Sequence, residues 1–347
     1  VAFVILFLAG RHLDLGPAFR GRLARVVVVV GTLVAAVGIF EFVDSAAWNH
    51  FVVFTLRETV YQMGVLHSYG ANPFDIRLYS ALGHHVVLRV GSTFLDALSC
   101  AFYLVFALVT GVELLIRHPR ARWPLGAACG LMAIVLLLTQ TRAAILGGGI
   151  AFLLTVASLR RIRPKPSRAR RIAVAATVLA ILVTAAVTTG FADRTVSTTN
   201  GTSTSAQVHL QRSKQGLVQL VNTPLGRGLG TGASNGNRFF VPTATTSEDY
   251  YLQVGNETGV VTLIIFAGLV IIASRRLLGA AKCRQDVWTN STAGAFVGLS
   301  VTGLFLQVWL NLPVSWTVWL VAGVCLGPSR QALVPDAARY NPFPTRT

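Results

Sequence analysis

Apolar runs long enough to cross a bilayer recur along the chain, separated by polar segments of uneven length. A bilayer core needs about 20 apolar residues per helix, with roughly 17 as the lower limit. We predict spans at the following positions: 26–43, 96–116, 123–139, 143–159, 172–191, 252–274, 291–310 and 313–327. The opening run, 1–10, has no basic residues ahead of it, so we predict the remnant of a membrane helix rather than a signal peptide and expect the native chain to begin upstream. The pattern predicts an all-α integral membrane protein, a polytopic helix bundle of about eight spans plus this remnant.

Composition agrees with this pattern. Hydrophobic residues make up 53% of the chain and charged residues 12%, whereas soluble domains carry roughly 25% charge. The net charge of +17 would suit nucleic acid, but four short segments beside the spans and the C-terminal tail at 328–347 together hold 21 of the 30 lysines and arginines. Basic residues in short loops mark the cytoplasmic side of a membrane protein, so orientation explains the excess and we expect no nucleic-acid partner.

The same charge pattern predicts the topology of a single membrane domain over residues 1–347. The basic segments, among them "RRIRPKPSRARR", are cytoplasmic, as is the tail at 328–347. Two long segments, 44–95 and 192–251, then face outward. The four cysteines lie in or beside apolar runs or in a basic loop, so we expect no disulfide framework.

The stretch "LLLTQTRAAILGGG" places Arg142 inside an apolar run at 123–159. As one helix this run of 37 residues would be about 55 Å long at about 1.5 Å per residue, against a bilayer core of about 30 Å. We therefore predict two helices with a turn at "TQTR", which puts Arg142 at the outer surface. An arginine there either reaches to phospholipid headgroups or serves a functional site.

The second outward segment contains "SAQVHLQRSKQGLVQLVNTP", which reads as an amphipathic helix ended by Pro224. Its apolar side is predicted to include Leu210 and Leu217, and its polar side His209 and Arg212. Such a helix suits the membrane surface and points its polar stripe into a cleft. The glycine-rich "PLGRGLGTG" that follows carries Arg227; glycine backbone can approach phosphate closely, although a flexible loop fits the pattern equally well.

The segment ends at "TTSEDYYLQVGNETG", where a membrane helix begins. Helix capping accounts for the acids Glu248 and Asp249, with Ser247 as N-cap, and Tyr250 with Tyr251 suits an interfacial aromatic belt.

Taken together, the outward segments carry several arginines beside these two acids. Arginine recognises phosphate through a bidentate fork, so convergence of these arginines predicts an anionic group, a diphosphate in particular. A nearby carboxylate or His209 is suited to accept a proton from a hydroxyl nucleophile. The arginines are Arg89, Arg142, Arg212, Arg227 and Arg238.

Four pieces resemble the O-antigen ligase and polymerase family of bacterial envelope membrane proteins. They are "RVGSTFLDALSCAFYL", "LLLTQTRAAILGG", "HLQRSKQGLVQLVNTPLGRGLGTG" and "SEDYYLQVGNETGVVTLIIF", in the family's usual order over roughly residues 85–275. The resemblance implies a GT-C-like glycosyltransferase of the bacterial cytoplasmic membrane that uses neither a metal nor another cofactor. It implies transfer of a glycan from a polyprenyl-diphosphate carrier to an acceptor glycan, lipid or protein on the outer face.

The resemblance also implies roles for individual residues. Arg142 and Arg212 match the family's two functional arginines, and they stabilise the leaving diphosphate in direct inverting displacement. Ligases of this kind have a histidine just before the "YLQ" helix; "SED" stands there instead, so Glu248 or Asp249 would have to substitute for it. In the implied mechanism Glu248 or His209 deprotonates the acceptor. The further candidates, expected to bind substrate, are Arg89, Arg227, Asp249 and Tyr251.

Two alternatives stay open at this point. A polymerase would use a second lipid-linked repeat unit as acceptor, and the sequence does not separate this from ligation. A glycolipid or solute transporter belongs to a different class; such proteins often show two related halves and ionisable residues at mid-membrane, a pattern the chain does not display.

Overall fold

The computed structural model describes residues 2–13, 15–55, 79–82, 85–162, 204–231 and 249–327. Eleven α-helices lie in these ranges, and the two strands described form one short antiparallel hairpin. The helices are α1 (Ala2–His12), α2 (Pro17–Val43), α3 (Ser45–His50), α4 (Ala97–Arg117), α5 (Arg122–Leu138), α6 (Arg142–Ile162), α7 (Thr204–Asn222), α8 (Tyr250–Thr258), α9 (Val260–Arg284), α10 (Val287–Thr302) and α11 (Leu312–Leu326). The strands are β1 (Tyr79–Leu82) and β2 (His85–Leu88), with Tyr79 opposite Leu88.

Shorter helical turns complete the described chain. A π-helical turn follows α3, and three 3₁₀ turns precede α4, α5 and α11. They lie at Phe51–Thr55, Ser92–Phe94, Pro119–Ala121 and Val308–Leu310.

The structure confirms an all-α polytopic membrane protein. Within the described ranges, five helices are long and apolar enough to cross a bilayer: α2, α4, α5 with its preceding 3₁₀ turn, α6 and α9. Two shorter apolar helices, at Phe3–His12 and in α11, add to these. The predicted span at 172–191 lies outside the described residues, and the β-hairpin is an addition that the sequence pattern did not predict.

Helix α4 occupies the centre of the bundle and packs against α2, α5, α6 and α10. Small residues allow its neighbours close approach: a Cβ on Gly31 would lie 2.6 Å from Ala107 Cβ, and one on Gly111 would lie 2.9 Å from Cys129 Sγ. In a bilayer, helices associate through such close packing because lipid tails are as apolar as the side chains.

The run at 123–159 is divided as predicted, because α5 ends at Leu138 and α6 begins at Arg142. Both helices pack against α4. We call the end of the bundle that carries residues 139–142 the turn end. The opposite end, which carries Arg117, we call the basic end.

Ion pairs and polar contacts tie helices together at the basic end. Arg117 donates to Glu113 at 2.6 Å and to the Gln285 carbonyl at 2.8 Å, which joins α4 to the start of α10. Arg20 pairs with Asp286 at 3.1 Å and joins α2 to the same place. Buried charge is tolerated in a bundle when it is paired in this way.

The predicted span at 252–274 begins and ends later in the structure. Gly259 interrupts it with φ +95°, so that α8 ends at Thr258 and the long apolar helix runs from Val260 to Arg284. A residue with a side chain rarely adopts such a φ, so the glycine places the break. The predicted span at 291–310 likewise ends as a helix at Thr302.

Candidate functional site

The turn between α5 and α6 is closed by its own threonines. Thr139 and Thr141 are buried, Thr139 Oγ1 donates to the Leu136 carbonyl at 2.7 Å, and the Thr141 amide donates to Thr139 Oγ1 at 3.3 Å. Gln140 between them has φ +55°. These contacts fix the direction in which the chain enters α6 at Arg142.

Arg142 is the first residue of α6 and is partly buried. A cation at a helix N-terminus faces the positive end of the helix dipole, which is unfavourable, whereas an anion is attracted there. The backbone amides at this end of α6 and the guanidinium of Arg142 would therefore both attract a bound anion. The position therefore suits the binding of a phosphate group.

Arg89 lies at the same turn. Its Nε donates to the Thr139 carbonyl at 3.0 Å and its Nη2 to Thr141 Oγ1 at 3.1 Å. The next residue, Val90, donates its amide to the Leu138 carbonyl at 3.2 Å. The structure thus brings Arg89 to the peptide segment that carries Arg142, although about fifty residues separate them in sequence.

Helix α10 connects this turn to the start of α8. Thr302 Oγ1 donates to the Ala143 carbonyl at 3.1 Å, and the Tyr250 amide donates to the carbonyl of the adjacent Gly303 at 3.1 Å. The consecutive residues Thr302 and Gly303 therefore contact the neighbours of Arg142 and Asp249. Arg142 and Asp249 thus both belong to the turn end.

Asp249 caps α8. Its Oδ1 accepts from the Tyr251 and Leu252 amides at 3.0 and 3.3 Å, which leaves Oδ2 outside the capping bonds. The N-cap is therefore Asp249, not Ser247 as the sequence pattern predicted, because the helix begins at Tyr250. Burial raises the pKa of Asp249 despite these two backbone hydrogen bonds, which lower it.

Tyr251 is also at the turn end, and its hydroxyl donates to the Ser300 carbonyl at 3.1 Å. Burial raises the pKa of Tyr251 to about 12, so the hydroxyl stays neutral at physiological pH and can donate. This contact braces α8 on α10. A role for Tyr251 in binding substrate stays a prediction.

Arg212 lies on α7, the amphipathic helix that the sequence predicted and the structure confirms at Thr204–Asn222. Gly216, one turn after Arg212, is buried, and Leu220 packs against Gly255 of α8. The side of α7 that the sequence predicts to be apolar points away from the helices that the structure describes, since Leu210, Leu217 and Val221 are mostly exposed.

The glycine-rich segment after α7 is fastened to the end of α8 by its backbone. The Arg227 amide donates to the Asn256 carbonyl at 2.9 Å, and the Gly228 amide to the Glu257 carbonyl at 3.0 Å. Gly226 has φ +84°, and a Cβ there would lie 2.6 Å from the Gly259 nitrogen. The loop is thus held in one place by contacts that only glycine permits.

A groove of about 580 Å³ follows one side of α7 and ends at Arg227. Most of its described lining is amide or hydroxyl side chains, accompanied by two cationic ones. The lining residues are Gln211, Lys214, Gln215, Val218, Gln219, Asn222, Thr223 and Arg227.

Arg89, Arg142, Asp249 and Tyr251 thus all lie at the turn end, while Arg212 and Arg227 belong to a unit docked on α8. Helix α8 connects the two groups. Glu248, Arg238 and the side chain of His209 lie outside the described residues. Sequence reasoning missed Thr302, because a threonine late in an apolar helix has no local signal of function.

The fold and this site define a polytopic helical membrane protein with an arginine-bearing turn at one end of its bundle. Residues 127–267 match the family model described as O-antigen ligase, so the resemblance predicted from the sequence is confirmed over this part of the chain. The matched part includes the turn at Arg142, α7 and α8. No curated protein matches the chain. The match and the apolar helices together indicate a bacterial membrane glycosyltransferase of the general ligase or polymerase type.

Proposed function

We propose that this protein transfers a glycan from a polyprenyl-diphosphate carrier to an acceptor hydroxyl at the outer face of the cytoplasmic membrane. The observation that carries the proposal is the turn end itself. There Arg142 stands at a helix N-terminus beside a turn braced by Arg89, and the Asp249 cap of α8 is joined to it through Thr302 and Gly303. An anion site and a carboxylate in one place are what displacement of a diphosphate by a hydroxyl requires.

In the proposed reaction the acceptor oxygen attacks the anomeric carbon of the donor sugar, and configuration at that carbon inverts. The bond from this carbon to the phosphate oxygen breaks, and its electron pair leaves with the polyprenyl diphosphate. Arg142 and Arg212 stabilise the charge that develops on the leaving group, commonly the largest contribution to catalysis. The acceptor proton passes to a carboxylate or to His209.

The groove along α7 supports a role in holding the glycan. Its lining combines hydrocarbon surface from the side-chain stems with amide groups that can both donate and accept hydrogen bonds, which suits the apolar faces and the hydroxyls of sugars. The groove ends at Arg227, and Arg212 lies on α7, the helix that the groove follows. We propose that sugar residues beyond the reacting one lie in this groove, while the exposed Leu210, Leu217 and Val221 rest at the membrane surface.

The direct test uses proteoliposomes that contain the protein and lipid-linked glycans extracted from the source organism. We expect polyprenyl diphosphate to be released together with a glycosylated acceptor. Glycolipid that changes leaflet without release of diphosphate would overturn the proposal in favour of a transporter.

The pH dependence of turnover tests Asp249 as the base. A base must be ionised to accept the proton, and burial raises the pKa of Asp249. We therefore expect kcat/KM to rise with pH through a value above the usual carboxyl range, and Asp249→Asn to abolish this rise. Asparagine can still cap the helix, so the fold is retained.

Asp286→Asn is the matched control, since Asp286 also caps a helix but lies at the basic end. It should keep the wild-type pH profile. A rise that persists unchanged in Asp249→Asn would exclude Asp249 and leave Glu248 or His209 as the base.

A further inference from the structure

Glu41 is a buried acid that the proposed reaction does not use. It lies in the last turn of α2 and is 2% exposed. An ionisable side chain in a membrane helix is costly and is generally retained for a function or for a specific partner. Its position in the apolar run "AAVGIFEFV" does not indicate what that partner is.

The partner is a backbone anion site on the segment that follows β2. Glu41 Oε2 accepts from the Gly91 amide at 3.0 Å and from the Ser92 amide at 2.6 Å. Gly91 is right-handed helical (φ −105°, ψ −19°) and Ser92 is left-handed, with φ +51°. Successive residues in these two conformations turn their amides to one side and form a concave site for an anion.

Other contacts hold the same segment between α2 and α5. Ser92 Oγ donates to the Val34 carbonyl of α2 at 2.6 Å. Val90 is fully buried, and a Cβ on Gly38, one turn before Glu41, would lie 3.0 Å from Val90 Cγ1 and 2.7 Å from Val135 Cγ1. We call residues 89–92 the strap, since they run from α2 to the turn.

The far end of the strap is Arg89, which donates to Thr139 and Thr141. Hydrogen bonds at the two ends of the strap, with the backbone of residues 89–92 between them, therefore connect Glu41 to the residue before Arg142. Polar contacts of this kind set geometry, and a displacement of about 1 Å at a reacting group can cost about 100-fold in rate.

We propose that Glu41 is a positioning residue for the diphosphate site: by binding the Gly91 and Ser92 amides it holds Arg89 against the turn from which Arg142 enters α6. The role assigned to Arg142 rests on the proposed function. The position of the turn does not, so the two can be tested separately.

The first experiment measures the position of the turn without any substrate. Thr139 is fully buried, and Thr139→Cys keeps the carbonyl that Arg89 contacts; its thiol replaces the hydroxyl as a weaker donor to the Leu136 carbonyl, so the same Thr139→Cys background is used for every comparison. In purified protein that also carries Cys283→Ser, because Cys283 is the exposed native cysteine, Thr139→Cys should react slowly with a charged methanethiosulfonate reagent. We expect Glu41→Leu to speed this reaction at least about tenfold, since a site once packed becomes open to solvent.

Glu113→Gln is the matched control, because Glu113 is equally buried in a membrane helix but lies at the basic end. It should leave the labelling rate unchanged. If Glu41→Leu cannot be purified, Glu41→Gln takes its place; its neutral oxygen binds the amides more weakly, so we expect an increase of about threefold. Labelling that stays constant, or that rises as much in Glu113→Gln, would overturn the proposal.

The second experiment measures turnover in the proteoliposome assay. Glu41→Leu should lower kcat about 10- to 100-fold, and adding Arg89→Met should lower it little further, because both act through one strap. Arg227 lies on the separate loop, so the double variant Glu41→Leu/Arg227→Ala should lower kcat by the product of the two single-variant factors. If Glu41→Leu/Arg89→Met also lowered kcat by the product of its two single-variant factors, the shared role would be overturned. An inactive wild type would overturn the proposed function alone, with the labelling result still standing.

Discussion

Arg142→Ala should lower turnover about 100- to 1,000-fold, which is the range for removal of one preorganised charge-stabilising group. The alanine variant should keep its fold, because hydrogen bonds of Thr139, Thr141 and Arg89 hold the turn and alanine is a strong helix former. The measurement is the release of polyprenyl diphosphate from proteoliposomes, with size-exclusion behaviour in detergent as the check on folding.

The matched control is Arg122→Ala. Arg122 begins α5 as Arg142 begins α6, but it is exposed at the other end of the bundle, where its guanidinium lies 5.5 Å from the Trp123 ring centroid. Exposed substitutions of this kind change stability by only about 0.5 kcal/mol, and we expect turnover near that of wild type. Equal losses in the two variants would show that arginine at a helix start matters for folding, not for a diphosphate.

Gly147→Val should destabilise the whole bundle. Helices α6 and α10 cross at Gly147 and Gly298, and a Cβ on Gly147 would overlap Thr302 Oγ1 and lie 2.5 Å from the Gly298 carbonyl oxygen. Relief of this overlap requires the two backbones to separate, at a cost that reaches or exceeds about 3 kcal/mol. The same movement breaks the bond from Thr302 to Ala143, so the residual folded protein should also lose turnover.

Unfolding by titration with sodium dodecyl sulfate measures this effect as a shift of the midpoint. Gly149→Val is the comparison, because Gly149 lies in the same helix and a Cβ there meets nothing within 4 Å. Replacing glycine by valine changes the intrinsic helix propensity by the same amount at both positions of α6, so the difference between the variants isolates the crossing. Similar midpoints for both would refute the tight contact between α6 and α10.

The sequence predicted those features that depend on residues close together along the chain. The break at "TQTR" follows from the length of an apolar run against the thickness of a bilayer. The helix at 204–222 follows from its periodicity and its terminal proline, and both were found. The start of the last long helix was placed too early, because Gly259 breaks it through a backbone conformation that composition does not reveal.

The candidate site likewise has a part that local sequence motifs predicted and a part that they did not. The arginine at the turn, the arginine of α7 and the acids before α8 were recognisable from local motifs and their order. That Arg89 braces the turn, that Thr302 and Gly303 join it to α8, and that Glu41 binds the strap were not recognisable.

By itself, then, the sequence determined the class of protein, its division into helices and the residue types at the candidate site, because hydrophobicity, periodicity and charge act locally. Only the tertiary structure decided which of these residues meet. The contacts between α2, the strap, the turn and α10 join residues about 50 to 160 positions apart. Such contacts arise from the packing of whole helices, and packing leaves no pattern in the short stretches of chain that it brings together.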